Sequence, residues 1–130
     1  ELGMLTDLVT LDLTLNQLTG TLPSELGILT AMKNLRLWQN QLTGPIPSEM
    51  GKLTALTALG LSENQFTGPL PSELGLLTDL TSLDLNGNQL LGPLPDSLCA
   101  MNFSFKIDEA NACSQGTTKM GAANSKFLDL

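Results

Sequence analysis

The chain has 130 residues, one domain's worth, with 13 acidic and 6 basic residues and a formal net charge of −7 at pH 7. Its basic residues are scattered, so it lacks the positive patch that a phosphate backbone requires, and nucleic acid is excluded as a partner. Histidine and tyrosine are absent, Trp38 is the only tryptophan, and no apolar run approaches the roughly 20 residues that span a bilayer.

No basic-plus-apolar leader opens the chain, so Glu1 reads as the start of a mature protein or of a fragment. From there the sequence is periodic. Asn16, Asn40, Asn64 and Asn88 stand 24 positions apart, as do Gly20, Gly44, Gly68 and Gly92, and Pro23, Pro47, Pro71 and Pro95. Self-similarity at such a step marks a solenoid, in which each unit buries its apolar face against the next. One unit reads LTDLTSLDLNGNQLLGPLPDS from Leu77 to Ser97, and four such units fill Leu2 to Ser97.

The elements of a unit follow in order. The LxL leucines (Leu11 and Leu13, Leu35 and Leu37, Leu59 and Leu61, Leu83 and Leu85) alternate with polar residues, as in a strand with one buried face. Stacked at this step, the strands pair in parallel about 4.8 Å apart. The asparagine follows where the chain must turn, and its amide can bond the backbone groups freed by the turn. Glycine permits positive φ or a close approach, and proline fixes φ as the chain turns toward the convex side. Ser24, Ser48 and Ser72 are placed to cap a short helical turn over ELGxLTxL.

The pattern LxxLxxLxLxxNxLTGxIPxxLGxLT resembles the plant-type leucine-rich repeat of receptor-kinase ectodomains, polygalacturonase-inhibiting proteins and secreted algal proteins. The recurring PSELGxLT and NQLTGPLP are most similar to the algal versions. The resemblance covers Leu2 to about Leu98. It implies an α/β solenoid, a right-handed superhelix with a concave parallel sheet, short second strands near LTGxxP and 3₁₀ turns on the convex side. It also implies an extracellular setting and a binding role, but no particular ligand, because the fold serves many partners.

The two ends differ. The family usually carries an amino-terminal cap with a cysteine pair, whereas this sequence starts inside a repeat at ELGMLTDL. Leu2, Leu5, Leu8 and Leu11 are therefore expected to meet upstream repeats or a neighbouring molecule. At the other end Leu98 keeps the register of Leu74, after which Ser104 and Glu109 stand where leucines are expected. Phe103, Phe105 and Ile107 alternate with Ser104, Lys106 and Asp108, which predicts a last strand with one apolar face. Cys99 and Cys113 bracket it. Two thiols without histidine make a poor zinc site, which needs about four ligands, so a disulfide and an oxidising compartment are expected. The predicted organisation is four repeats over 1–97, a capping strand with its disulfide over 98–113, and a tail over 114–130. That tail is rich in small and polar residues, and its predicted docking on the cap or a partner uses Met120, Phe127, Leu128 and Leu130.

The outward positions of the concave strands form three ladders. They read Asp12, Arg36, Gly60, Asp84, then Thr14, Trp38, Ser62, Asn86, then Thr10, Asn34, Ala58, Ser82. Exposed tryptophan and arginine are the usual anchors of protein interfaces, so Trp38 and Arg36 lead a site that includes Asp12, Asp84, Asn34, Ser62 and Asn86. The plainer alternative has Trp38 lying over its neighbours and Arg36 paired with Asp12 or Asp84. Gln17, Gln41, Gln65 and Gln89 form another rank, beside Thr19, Thr43 and Thr67, broken by Leu91. Such ranks suit an ice-binding face, yet they are also what the repeat consensus writes, and amide ladders stabilise stacked strands. Only Thr19 with Thr21 supplies two adjacent threonine ranks, since Pro45, Pro69 and Pro93 fill the matching places. Glu25, Glu49 and Glu73 make an acidic edge, read as a solvated face that could also meet cations or a basic partner. Asn102-Phe103-Ser104 fits the N-glycosylation sequon.

Catalysis finds little support. There is no histidine, no free thiol in a charged setting and no phosphate-cradling loop, while Asp12 and Asp84 stand too far apart to act as a pair. No metal or cofactor is implied. The reading is a secreted, non-catalytic recognition module whose concave face binds a protein or a polysaccharide. Its alternatives are a structural subunit of a larger assembly and, more remotely, an ice-binding protein.

Overall fold

The computed structural model describes residues 5–101, 103–108 and 111–113. Each repeat contributes a short concave strand, a second strand on the flank and a 3₁₀ turn on the convex side. The concave sheet is parallel and runs in order β1 (Thr10–Asp12), β3 (Asn34–Arg36), β5 (Ala58–Gly60), β7 (Ser82–Asp84), β9 (Ser104–Lys106). The flanking sheet is β2 (Thr19–Thr21), β4 (Gln41–Gly44), β6 (Gln65–Pro69), β8 (Gln89–Leu91). Turns at Ser24–Ile28, Ser48–Lys52 and Ser72–Leu76 close the convex side, and the short helix α1 (Asp96–Cys99) takes the fourth place. Proline occupies the position before each 3₁₀ turn, so the serines already lie inside the turn and make no capping bond. The Ser48 and Ser72 hydroxyls donate instead to Glu49 and Glu73, at 3.4 and 3.5 Å.

Stacking sets the core. Leu35, Leu59 and Leu83 face each other across the concave sheet in register, fully enclosed with Leu29, Leu53 and Leu77 beneath them. The turns pack so closely that a Cβ on Gly27 would sit 2.6 Å from the Glu49 carbonyl oxygen, which only glycine avoids. Asparagines tie the repeats along the rim. Asn64 accepts the Leu42 N–H at 3.0 Å, while its amide nitrogen donates to the carbonyls of Leu37, Leu61 and Ser62. Asn40 and Asn88 repeat the arrangement, each reaching back into the preceding repeat.

The last strand departs from the 24-residue step. Leu83 pairs with Phe105 and Asp84 with Lys106, a step of 22. A shift of two residues leaves every side chain on its own face, because the strand period is two. Phe105 thus takes the strand leucine's place, Ile107 follows it into the core, and Phe103 packs against Phe105 with ring centroids 5.5 Å apart. Asp108 accepts the N–H groups of Gly87 and Asn88, and the buried Asn111 donates to the carbonyls of Leu90 and Gly92. Cys99 and Cys113 are joined, with Cα atoms 6.0 Å apart, tying α1 to the segment after β9. Reducing this bond is expected to lower stability by about 3 kcal/mol, the loop-closure value for some 15 residues. Paired urea titrations with and without reductant measure it, and coincident curves would rule the bond out as a stabiliser.

The first repeat lacks such closure among the described residues. Leu13 is 36% exposed where its equivalent Leu37 is 3% exposed, and Leu5, Val9, Leu15 and Leu18 are exposed as well. Leu2, Asn102, Glu109 and the 114–130 tail, and with them the expected glycosylation and tail docking, lie outside the described residues.

Candidate functional site on the concave face

The three concave ladders assemble in the predicted register, so Arg36 and Asp84 flank Gly60 on adjacent strands. The step of 22 adds Lys106 next to Asp84 and Ser104 next to Ser82. Counting in steps of 24 hides both residues. Along the ladder the sequence is acid, base, no side chain, acid, base.

Trp38 is half-buried, and a Cβ on Gly60 would meet its Cδ1 at 3.5 Å. The indole therefore leans over the place where Gly60 has no side chain, so the plainer alternative for Trp38 holds in part. Arg36 pairs with Asp12 at 3.6 Å, both side chains about half exposed. The Asp12 carboxyl is held below its usual range first by Thr14, whose backbone N–H it accepts at 3.1 Å, and then by Arg36. Burial pushes the Asp84 carboxyl up, and Lys106, the Ser62 hydroxyl and the Asn86 N–H oppose this without overcoming it. Its Oδ1 is shielded from solvent and has no hydrogen-bond partner among the described residues, and the same is true of Asn86 Oδ1.

Of the remaining expected site residues, Asn34 and Asn86 are partly open. Ser62 is only 5% exposed, which removes it as a contact residue. It is among the groups that oppose the upward push on the Asp84 carboxyl.

The flanking sheet corrects a second expectation. Its strands also pair at a step of 22, so Thr19 faces Gln41, Thr21 faces Thr43 and Thr43 faces Gln65. Further along, Thr67 faces Gln89 and Pro69 faces Leu91. The glutamine and threonine ranks slide by two residues per repeat and merge into mixed rows. Among the described residues no three acidic, histidine or cysteine side chains gather as a metal site, and no helix is long and apolar enough to cross a membrane.

The Leucine Rich Repeat family matches residues 7–29, 31–53, 55–77 and 79–101. The chain is a leucine-rich-repeat protein. No curated protein matches it. Among solved structures, the leucine-rich-repeat chain is similar to a plant peptide hormone receptor in complex with RGF2, at 35% identity and a TM-score of 0.78, over 81% of this chain and 17% of that one. It is 41% identical to the Arabidopsis receptor kinase HAESA ectodomain with an IDA peptide hormone ligand, TM-score 0.76, over 83% and 18%. A plant ice-binding protein matches at 36% identity and a TM-score of 0.74, over 82% and 34%. The leucine-rich-repeat chain thus spans less than a fifth of the two receptor ectodomains.

Proposed function

We propose that this chain is an extracellular recognition module that binds a protein or peptide through its concave face, with Trp38 and Arg36 as anchors. The observation that carries the reading is the half-buried indole beside the gap at Gly60, with opposite charges on either side. Two similar structures are receptors solved with peptide ligands, which supports a peptide or protein as partner. The Cys99–Cys113 disulfide supports the extracellular setting. A polysaccharide partner and a structural role in a larger assembly are the alternatives that the same experiment separates.

Affinity capture with the intact chain identifies the partner. Trp38→Ala then weakens that binding by at least about 2 kcal/mol, the hot-spot threshold, with the melting temperature unchanged. Equal affinity of the variant and the parent chain would move the binding face elsewhere. Ice is the second reading, favoured by the similarity to a plant ice-binding protein. The mixed rows of threonine, glutamine, proline and leucine on the flanking sheet weigh against the regular face it needs. Thermal hysteresis at millimolar protein would establish ice binding; its absence leaves the concave-face reading alone.

A further inference from the structure

Resting on the concave face as the binding face, we infer that the gap over Gly60 is a specificity subsite for an extended peptide that crosses the strands. It takes one small apolar side chain, between an acidic ligand residue at Arg36 and a basic one at Asp84.

The first argument is size. The gap beside Trp38, floored by Ala58, Leu59 and Gly60, encloses about 190 Å³, and an adjoining hollow beside Lys106 encloses about 240 Å³. They share Ser82 and Asp84, so together they form one trough across β5, β7 and β9. Small-molecule pockets begin at roughly 300 Å³, so the gap alone suits a side chain better than a whole metabolite. The trough runs across the strands, and a ligand lying in it contributes side chains instead of extending a sheet.

The second argument is charge. Arg36 and Asp84 stand two strand intervals apart, about 9.6 Å, on opposite sides of the gap. Arg36 is held only by a half-exposed pair with Asp12, and such pairs exchange readily. Asp84 stands beside Lys106 on the adjacent strand, and a ligand base shares its carboxylate as a ligand acid shares Arg36 with Asp12.

The third argument is spacing. In an extended peptide every second side chain points the same way, roughly 6.6 Å apart. The pattern acid-x-small apolar-x-base puts its outer residues about 13 Å apart, and the long side chain of Arg36 and that of the ligand base close the difference. Either chain direction satisfies it.

The test pans phage-displayed random twelve-residue peptides on the immobilised 130-residue chain. Selected peptides are then synthesised and titrated by fluorescence, for which Trp38 is the only tryptophan. The expected selection carries the acid-x-small apolar-x-base pattern. The graded series Gly60→Ala, Gly60→Val and Gly60→Leu lowers affinity progressively, by at least tenfold for leucine, with unchanged circular dichroism. A Cβ at Gly60 meets only ordinary contact distances, so the alanine variant folds and anchors the series. The double swap Arg36→Glu with Asp84→Lys retains the pattern with its charges exchanged. Peptides that bind the leucine variant as well as the parent, but lose affinity with Trp38→Ala, overturn the subsite and keep the concave-face reading. Indifference to both variants overturns both. Failure to select any peptide, or retention on a pectin or cellulose column in its place, overturns the peptide.

Discussion

Asn64→Leu is expected to cost about 1–3 kcal/mol, a large share of the stability of a domain this size. The substitution keeps a branched side chain of four heavy atoms and sits at a buried position. It deletes the acceptor of the Leu42 N–H and the donor to the carbonyls of Leu37, Leu61 and Ser62. The three carbonyls keep bonds from Asn40, Asn88 and Gln39, so the Leu42 N–H is the group left without a partner, at a cost of roughly 1–3 kcal/mol. Asn16 is the internal control. It is exposed and bonds only the Leu13 and Thr14 carbonyls of its own repeat, so Asn16→Leu should cost under about 1 kcal/mol. Urea titrations of the two variants measure the difference. Equal losses would mean that the asparagines act within repeats and do not join them.

The second large effect concerns the first repeat. Val9 and Leu15 are exposed, and their equivalents in later repeats are Lys33, Thr57 and Thr81, then Gln39, Glu63 and Gly87. Together with Leu5, Leu13 and Leu18 they make an apolar edge beside β1, which pairs only with β3 among the described residues. Unpaired strand edges and contiguous apolar patches both promote association. Sedimentation of the chain should show mass rising with concentration. Val9→Lys with Leu15→Glu, which installs residues the fold already accepts one and two repeats on, should weaken association at least tenfold, about 1.4 kcal/mol. Leu15 shares its positive φ with Gln39 and Glu63, so glutamate fits that backbone. A monomer at every concentration would show that this edge attracts no second molecule.

Much of this architecture was legible because each repeat states it again. The LxL leucines, the asparagines and the concave ladders recur with a fixed step, and a strand buried on one face has no freedom to present the other. What escaped was relative displacement. Nothing in the spacing shows that β9 pairs two residues early, since a shift of two preserves the in-and-out alternation; Lys106 therefore stayed off the predicted site. The flanking strands hid their stagger for the same reason, so regular ranks of glutamine and threonine were expected where mixed rows stand. The serines looked like caps by type, but the preceding prolines already hold the extended cap conformation. Ser62 occupies an outward position by period, yet it is buried, which alternation cannot reveal. Gly60 read as a blank in a charged ladder, and only its distance to Trp38 turns that blank into a gap with a wall.

The rim asparagines give the molecule a polarity of its own. Each bonds the repeat before it, and the last unit is fastened by a disulfide, a carboxylate and a buried amide. Quasi-one-dimensional arrays gain stability from nearest-neighbour coupling, and here that coupling runs into a fastened cap. Opening fluctuations therefore die out toward the cap, like a zipper with a sewn end. Trp38 lies in the second of the four repeats, away from that cap, so whatever settles on the concave face also governs how far such opening travels.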